Sequence, residues 1–341
     1  MKKLLLLVLS LSLLFICGCY DAKDIDNMAY SLALGVDLTE DNDYSFTFQV
    51  VAPLNIKGGV ETGFNIEGDG KPLINYSVSG KDFFECYQNA NDRISKQLDL
   101  SQLKVIMFSE NALLNRYENL KEIFENEKLF RDNIYICVCR GQAKDSLEHT
   151  LSPLELNPSK YYELIFSENS AERTVSASLW EFLKKDCFAI PLYTPSFEGL
   201  VPDGTYILND GKISLHLTEN ETYFYNMLSG NIRTTRYKNS LLNLEKKPSA
   251  KTDFENKTLT YTIRIKCQKE KGGKYNTQKE LKNGLNNVLN KLKTNNTDAL
   301  QMKSSQKKYF LTFDSFEQNS LNISELDLKT NLIYHEINKE V

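Results

Sequence analysis

Histidine and tryptophan are scarce in this chain: 341 residues contain three histidines and one tryptophan. The histidines, His149, His216 and His335, lie far apart, and His216 in a predicted strand is expected to be a structural, hydrogen-bonded imidazole rather than a base or ligand. No His-x-x-Glu-His motif or Gly-x-Ser-x-Gly elbow is present, so the common signatures of metallopeptidases and α/β-hydrolases are missing. The 45 acidic residues are too many to single out a catalytic pair. We therefore predict no catalytic residues and a protein that is not an enzyme.

The chain also lacks a phosphate-binding loop. Five glycines fall between Pro53 and Pro72, which predicts an irregular loop. Its Gly68-x-Gly70 pair has neither the further glycines of a dinucleotide fingerprint nor the Lys-Ser/Thr of a Walker motif. We expect no cofactor.

Cysteines are few and do not suggest a disulfide framework. Of seven, Cys17 and Cys19 belong to the leader described below, and an odd set of five remains: Cys86, Cys137, Cys139, Cys187 and Cys267. Cys137 and Cys139 share one face of a predicted strand and could suggest a metal. A structural zinc needs four ligands, however, and no partnering His or Cys pair exists, so packed core thiols are favoured and no metal is expected.

Long hydrophobic runs are absent except at the start of the chain. Lys2 and Lys3 precede a mostly apolar run from Leu4 to Ile16, which is the pattern of a signal peptide over residues 1–18. The run is shorter than the roughly 18 to 20 residues that a transmembrane helix needs. This segment is therefore predicted to export the chain.

The residues after that run resemble a bacterial lipobox. Gly18, a small residue, precedes Cys19, whereas bulky Ile16 precedes the rival Cys17. We predict that Cys19 is lipidated and becomes the first residue of the mature protein; an ordinary cleaved signal is the alternative. Two or three acyl chains, at roughly 0.8 kcal/mol per buried methylene, give stable anchoring.

Charge is distributed unevenly. Residues 231–310 carry 19 Lys and Arg against 6 Asp and Glu, a local charge of +13. The favoured interpretation is a solvated basic face. The alternative is that a helix from Thr277 to Lys293 turns four lysines, Lys279, Lys282, Lys291 and Lys293, towards lipid headgroups or an acidic partner loop.

The pattern of apolar residues predicts a mixed α+β fold, with several small sheets and packed amphipathic helices. Strand Asn133–Cys139 is apolar on both faces and should lie between two layers. An Asp210-Gly211 turn predicts a hairpin, Thr218 and Glu221 form a capping box, and Leu281 to Leu292 line one helical stripe. A strand is also predicted at Tyr309–Phe313.

The prolines between Pro191 and Pro202 indicate a domain boundary. We predict an N-terminal α+β domain at residues 19–196 and a C-terminal α+β domain at 197–341, the latter with two possible subdomains.

The chain resembles the Ger(x)C family, the lipoprotein C subunits of spore germinant receptors. The resemblance covers nearly the whole chain and depends on order and spacing. The residues that carry it are Cys19-Tyr20-Asp21, Asp24-Ile25, Gly35-Val36-Asp37, Ser79-Gly80, Leu103-Lys104, Phe130-Arg131-Asp132, Gly204-Thr205 and a late helix that runs into Asp298.

This resemblance implies a non-enzymatic subunit on the outer face of the inner spore membrane, anchored through Cys19. It implies two integral membrane partners, one of them transporter-like, which together respond to a small nutrient such as an amino acid or sugar. No nucleic-acid partner is implied.

Two other classes of protein are alternatives. An extracytoplasmic solute-binding lipoprotein of an uptake system would need two similar α/β lobes around a cleft, and the hairpin-and-helix segments do not repeat in that way. A lipid-anchored wall hydrolase would need a metal or an acid pair, for which the sequence offers no candidate.

Overall fold

A computed structural model describes residues 27–52, 73–126, 129–148, 158–167, 172–196, 199–269 and 277–337. Fourteen strands and eight α-helices lie within these ranges. Cys19, His149 and the whole glycine-rich stretch from Pro53 to Pro72 lie outside the described residues.

The first sheet has nine strands in the order β3-β2-β1-β5-β6-β7-β8-β9, with β4 paired to the start of β1. Strands β1, β5, β6 and β7 run parallel, and hairpins extend the sheet on both sides. The strands are β1 Met28–Leu38, β2 Tyr44–Val51, β3 Leu73–Gly80, β4 Gln97–Asp99, β5 Val105–Ser109, β6 Tyr135–Cys139, β7 Cys187–Ser196, β8 Gly199–Asn209 and β9 Lys212–Leu217.

Helices cover both faces of this sheet. One face packs against α1 (Phe83–Arg93), α2 (Glu110–Asn126) and α5 (Leu179–Lys184), and the other against α3 (Ala143–Glu148) and α4 (Pro158–Phe166). Strand β6 shows the division clearly, because Ile136 and Val138 join the first of these cores and Cys137 and Cys139 join the second. The prediction that this strand lies between two layers is confirmed.

The second sheet has five strands, and helices cover one of its faces. Alternate residues of β13, from Leu259 to Cys267, face α6 (Glu219–Ser229) and α7 (Thr277–Thr294). Strands β11 and β12 pair with the same edge of β13, end to end, and β14 pairs in parallel with its other edge. The strands are β10 Thr234–Tyr237, β11 Ser240–Leu244, β12 Ser249–Asp253, β13 Thr258–Lys269 and β14 Asp327–Ile337; a 3₁₀ helix, Ser304–Tyr309, helix α8, Phe313–Asn319, and a 3₁₀ turn, Ile323–Glu325, precede β14.

Strand β8 belongs to both cores. Tyr206 and Leu208 point into the core under α1, α2 and α5, whereas Ile207 between them points into the core of the second sheet. Thr205 of the same strand hydrogen-bonds the hydroxyl of Thr222 in α6, at 3.1 Å. The two sheets are therefore packed against each other through β8 and its neighbours.

The α+β prediction is confirmed, as are several local predictions. Lys212 follows the Asp210-Gly211 turn and begins β9, Thr218 and Glu221 cap α6, and Gly230 ends it in the left-handed conformation at φ 81°. The stripe of α7 is fully buried; its members are Leu281, Leu285, Val288, Leu289 and Leu292.

The predicted strand at Tyr309–Phe313 is wrong. A 3₁₀ helix ends at Tyr309 and α8 begins at Phe313, with the Thr312 hydroxyl accepting the Ser315 N–H at 3.2 Å. The alternation of apolar residues resembled a half-buried strand, but no described strand pairs with this segment and Leu311 is fully exposed.

The prolines at 191–202 do not interrupt the sheet. Pro191 and Pro195 lie in β7 and Pro202 in β8, and a register shift between Pro191 and Tyr193 accommodates a residue without an N–H. The proposed break at 196/197 falls between these paired strands, and the first sheet continues to Leu217. The division into two domains, as independently folding units, stays a prediction.

The close approach of β8 and β9 depends on Gly204. Its φ is +94°, and a Cβ there would lie 2.1 Å from the carbonyl oxygen of Leu217. Gly204→Ala is therefore expected to destabilise the fold by about 3 kcal/mol or more, since it combines backbone strain with a steric clash.

The matched control is Gly141→Ala. Gly141 has φ +77°, but nothing beyond its chain neighbours lies within 4 Å of the place where a Cβ would stand. The alanine should therefore add only backbone strain and lower the free energy of unfolding by about 1 to 2 kcal/mol. Urea unfolding of both variants measures the difference, and equal losses would contradict the role given to the Leu217 contact.

Candidate functional site

The sequence-predicted residues do not converge in the described structure. His216 lies in β9 and His335 in β14, in different sheets. No group of three or more His, Cys, Asp or Glu residues that could hold a metal occurs in the described ranges. Cys137 and Cys139 are fully buried beside Met107 and Tyr162, and burial together with the Cys139 thiol holds the pKa of Cys137 well above its ordinary value. These thiols are core residues, as predicted.

A cluster of charged and polar side chains lies where β5 and β6 end. The Arg140 guanidinium pairs with the Asp203 carboxylate, and its Nη1 lies 3.8 Å from Oε1 of Glu110. The hydroxyl of Tyr206 donates to the same Glu110 oxygen. His216 Nε2 lies 3.1 Å from the Asp203 carbonyl oxygen, and its ring packs edge-on against Tyr206.

The electrostatics of this cluster follow from these contacts. The hydrogen bond to Asp203 raises the pKa of Arg140. Burial, and then the neighbouring Glu110, raises the pKa of Tyr206 to about 12. The groups therefore satisfy one another and tie the ends of β5 and β6 to β8, and His216 has the structural role predicted for it.

Asp37, near the end of β1, is hydrogen-bonded to the first residues of α3. Its two carboxylate oxygens accept the backbone N–H groups of Ala143 and Lys144, at 2.8 and 3.0 Å. Burial nevertheless raises the pKa of Asp37, because desolvation of the charge outweighs these hydrogen bonds. Asp37 ends the Gly35-Val36-Asp37 motif that carried the family resemblance, so the motif's acidic residue fixes the start of a helix.

A cleft of about 940 Å³ lies between the α5 region and elements of the second sheet. One wall carries Trp180, the only tryptophan, whose ring is 47% exposed and lies 5.6 Å from Nζ of Lys185. The opposite wall carries Tyr225, whose hydroxyl donates to the Ala299 carbonyl at 3.1 Å, and Gln301, with φ 53°. The cleft is lined by hydroxyls, amides, several aromatic side chains and the charged groups of Asp132, Glu181 and Lys185, a surface suited to a polar ligand or a loop of a neighbouring protein.

Sequence reasoning did not find this cleft. Its walls come from two segments that are not adjacent in the chain, Asp132–Ala189 and Tyr225–Gln301. The one sequence signal was the lone tryptophan, and the sequence did not indicate that this side chain would be exposed.

The chain is similar to known spore germination proteins. The sequence model of the family described as "Spore germination protein N-terminal domain" matches residues 21–186. "Spore germination protein KC" of Bacillus subtilis (strain 168) is 27% identical over 188 residues, covering 54% of this chain and 45% of that protein. "Spore germination protein B3" of the same organism is 28% identical over 142 residues, covering 40% of this chain and 35% of that protein.

A third relative, "Spore germination protein GerQC" of Bacillus cereus, is 25% identical over 166 residues, covering 49% of this chain and 42% of that protein. The chain thus spans less than half the length of these relatives. The crystal structure of the GerBC protein superposes with a TM-score of 0.53 at 18% identity, covering 89% of this chain and 97% of that one. This similarity shows that the fold is shared.

Asp37→Ala is expected to destabilise the protein by about 1 to 3 kcal/mol, because the N–H groups of Ala143 and Lys144 lose their acceptors. Asp37→Asn retains one oxygen and should lose less. Urea unfolding measures both, and exposed Asp41→Ala, on the neighbouring turn, is the control. An Asp37→Ala variant as stable as that control would contradict the helix-fixing role.

The raised pKa of Tyr206 predicts that the folded protein loses stability at alkaline pH. Its pKa is about 12 in the folded chain against about 10 in an unfolded one. A raised folded-state pKa stabilises the fold below about pH 10, and this contribution is lost between about pH 10 and pH 12. Tyr206→Phe should therefore lose less free energy of unfolding than wild type when the pH is raised from about 8 to about 11. Parallel pH dependences of the two proteins would refute this.

Proposed function

The chain belongs to the Ger(x)C family of spore germination proteins, and we propose on that basis that it is a lipid-anchored, non-enzymatic subunit of a spore germinant receptor. The observation that carries the proposal is the family match over residues 21–186. That match begins two residues after Cys19, where the lipobox pattern ends. Anchor and family domain are thus adjacent in the sequence.

The membrane location follows from the predicted anchor. Among the described residues, no helix is both long and apolar enough to cross a bilayer. Two or three acyl chains on Cys19 would attach the mature protein stably by themselves. On this proposal the protein lies on the outer face of the inner spore membrane.

The proposed partners are two integral membrane subunits, one of them transporter-like, and the complex responds to a small nutrient germinant. The fold supports a part in assembly, because β8 contributes side chains to the cores of both sheets and so joins them. Such a protein can present several surfaces to partner proteins, with the surfaces held in a fixed orientation relative to one another. The pairing of Glu110, Arg140 and Asp203 with one another supports a structural rather than a catalytic use of the polar groups at the strand ends.

The alternative, a solute-binding lipoprotein of an uptake system, draws its support from the cleft beside Trp180. That class of protein has two similar lobes around its ligand. Here the two walls belong to unlike units, a nine-stranded sheet covered on both faces and a five-stranded sheet covered on one. The architecture therefore favours the receptor subunit.

Cys19→Ala is expected to leave the protein unprocessed or soluble and to impair the germinant response, because the thiol that carries the lipid is gone. Cys17→Ala is the matched control, since Cys17 lies two residues away and should be removed with the signal peptide. Membrane fractionation and intact mass measure both. Normal lipidation of Cys19→Ala would disprove the assignment.

Affinity purification from detergent-solubilised spore membranes tests the partners. The tagged wild-type protein should bring down two integral membrane proteins, one with a transporter-like pattern of membrane spans. Recovery of the protein alone, in its lipidated form, would count against the receptor-subunit proposal.

A further inference from the structure

Three apolar side chains with large exposed areas lie close together in the sequence, from the end of the 3₁₀ helix to the start of α8. Leu311 is fully exposed, Phe313 is 66% exposed and Tyr309 is 41% exposed. We call these residues the apolar tip. Other exposed apolar side chains, such as Phe84 in α1 and Leu114 in α2, lie on long helices far along the chain from this segment.

Packed aromatic rings and side-chain hydrogen bonds hold the segment that carries the apolar tip. The Phe310 ring packs edge-on against Phe254 and Phe316, with centroids 5.4 and 5.9 Å apart. Gln306, fully buried, donates to the Leu321 carbonyl at 2.8 Å and accepts the Leu321 N–H at 2.9 Å. Because the rings beneath are packed and the Gln306 side chain is hydrogen-bonded to the Leu321 backbone, the exposure of the tip is built into the fold.

Lysines surround the tip. Nζ of Lys307 lies 5.8 Å from the ring centre of Phe313. Nζ of Lys308 lies 5.1 Å from the ring centre of Tyr309 and also donates to the Ala250 carbonyl at 2.8 Å. Lys303 lies over the ring of Phe316, 6.0 Å from its centre. The acidic residues nearest in the sequence, Asp314 and Glu317, follow on α8. Between residues 303 and 313 the charge is therefore +3.

Exposed apolar and aromatic side chains flanked by lysines match the chemistry of a bilayer surface. Tyrosine and phenylalanine occupy the interface between headgroups and acyl chains, and lysines beside them keep their ammonium groups among the phosphates. Anionic headgroups attract such lysines within about a Debye length. We propose that the apolar tip inserts into the surface of an anionic phospholipid bilayer and gives the protein a second membrane contact besides its anchor.

This contact differs from the one that the sequence suggested on α7. Lys291 of α7 is paired with Glu221 at 2.6 Å, so part of that helix's charge is used within the protein. Other basic residues of the +13 region, among them Lys251 and Lys266, lie on the open face of the second sheet, which supports a solvated face there. The tip combines charge with exposed apolar surface.

The inference rests on the proposed membrane location, but its test does not need the anchor. The protein is made as residues 20–341, which keeps every described element and removes the predicted signal peptide and Cys19. Failure to bind vesicles would then say nothing against lipidation of Cys19, and failure of lipidation would say nothing against the tip.

The first experiment is sedimentation with phosphatidylglycerol and phosphatidylcholine vesicles over a salt series. Wild type should bind the anionic vesicles and be released by salt. Leu311→Ser with Phe313→Ser should weaken binding at least about tenfold, since two apolar contacts are removed. Lys307→Gln with Lys308→Gln should weaken it by a similar factor at low salt only.

Matched controls use side chains of the same type elsewhere. Phe84→Ser with Leu114→Ser removes two exposed apolar residues of α1 and α2, and Lys279→Gln with Lys282→Gln removes two exposed lysines of α7. Both controls should bind as wild type does. Weakening by the controls equal to that by the tip variants would overturn the proposal, as would equal binding of wild type to both vesicle types.

A second experiment locates the tip in the bilayer. Because Trp180 is the only tryptophan, Leu311→Trp in a Trp180→Phe background gives a single reporter at the tip. Its emission should shift to the blue on anionic vesicles and be quenched by brominated lipid. The bilayer proposal is wrong if the emission neither shifts nor is quenched and the Leu311→Ser, Phe313→Ser variant fails to capture integral proteins from solubilised spore membranes. That result would make the tip a contact with another protein.

Discussion

Ile207 points into one core while its neighbours Tyr206 and Leu208 point into another, so both sheets depend on a single strand being buried on both faces. Gly204 of the same strand lets β8 approach the Leu217 carbonyl more closely than a side chain would allow. The hydroxyl bond between Thr205 and Thr222 then ties the same strand to α6. The relation between the first sheet, the second sheet and the cleft beside them is thereby fixed.

This constraint bears on what the polar groups do. Glu110, Arg140 and Asp203 meet at the carboxyl ends of strands, where open α/β sheets commonly bind ligands. Here they pair with one another, and Asp37 is occupied by two backbone N–H groups of α3. The groups that could have formed a reaction site are used to hold strand ends together. The cleft beside Trp180 and the apolar tip are two further surfaces of the described chain, and both suit binding.

The tip also gives a physical reason for the distribution of charge. Lysines on the open face of the second sheet are exposed to water or paired with acidic neighbours, as Lys266 is with Glu245 at 2.6 Å. Lysines at the tip instead lie against aromatic rings. Lysine thus contributes to solubility on the open face of the second sheet and to an amphipathic surface at the tip. The net charge of a sequence segment cannot distinguish these two uses.

The sequence by itself determined the class of the fold, the caps of α6, the buried stripe of α7 and the two-sided burial of β6, because each follows from local periodicity or from a side chain bonding its own helix end. Only the tertiary structure decided the roles of residues whose partners are distant in sequence. Tyr309, Leu311 and Phe313 alternate as a strand would, yet no described strand pairs with them, and they are exposed. Pro191 and Pro202 lie within paired strands, with a register shift between Pro191 and Tyr193, so the sheet continues past this stretch; the domain boundary near it stays a prediction. Periodicity records which residues are apolar; whether another element is present to cover them depends on packing between segments that local sequence does not encode.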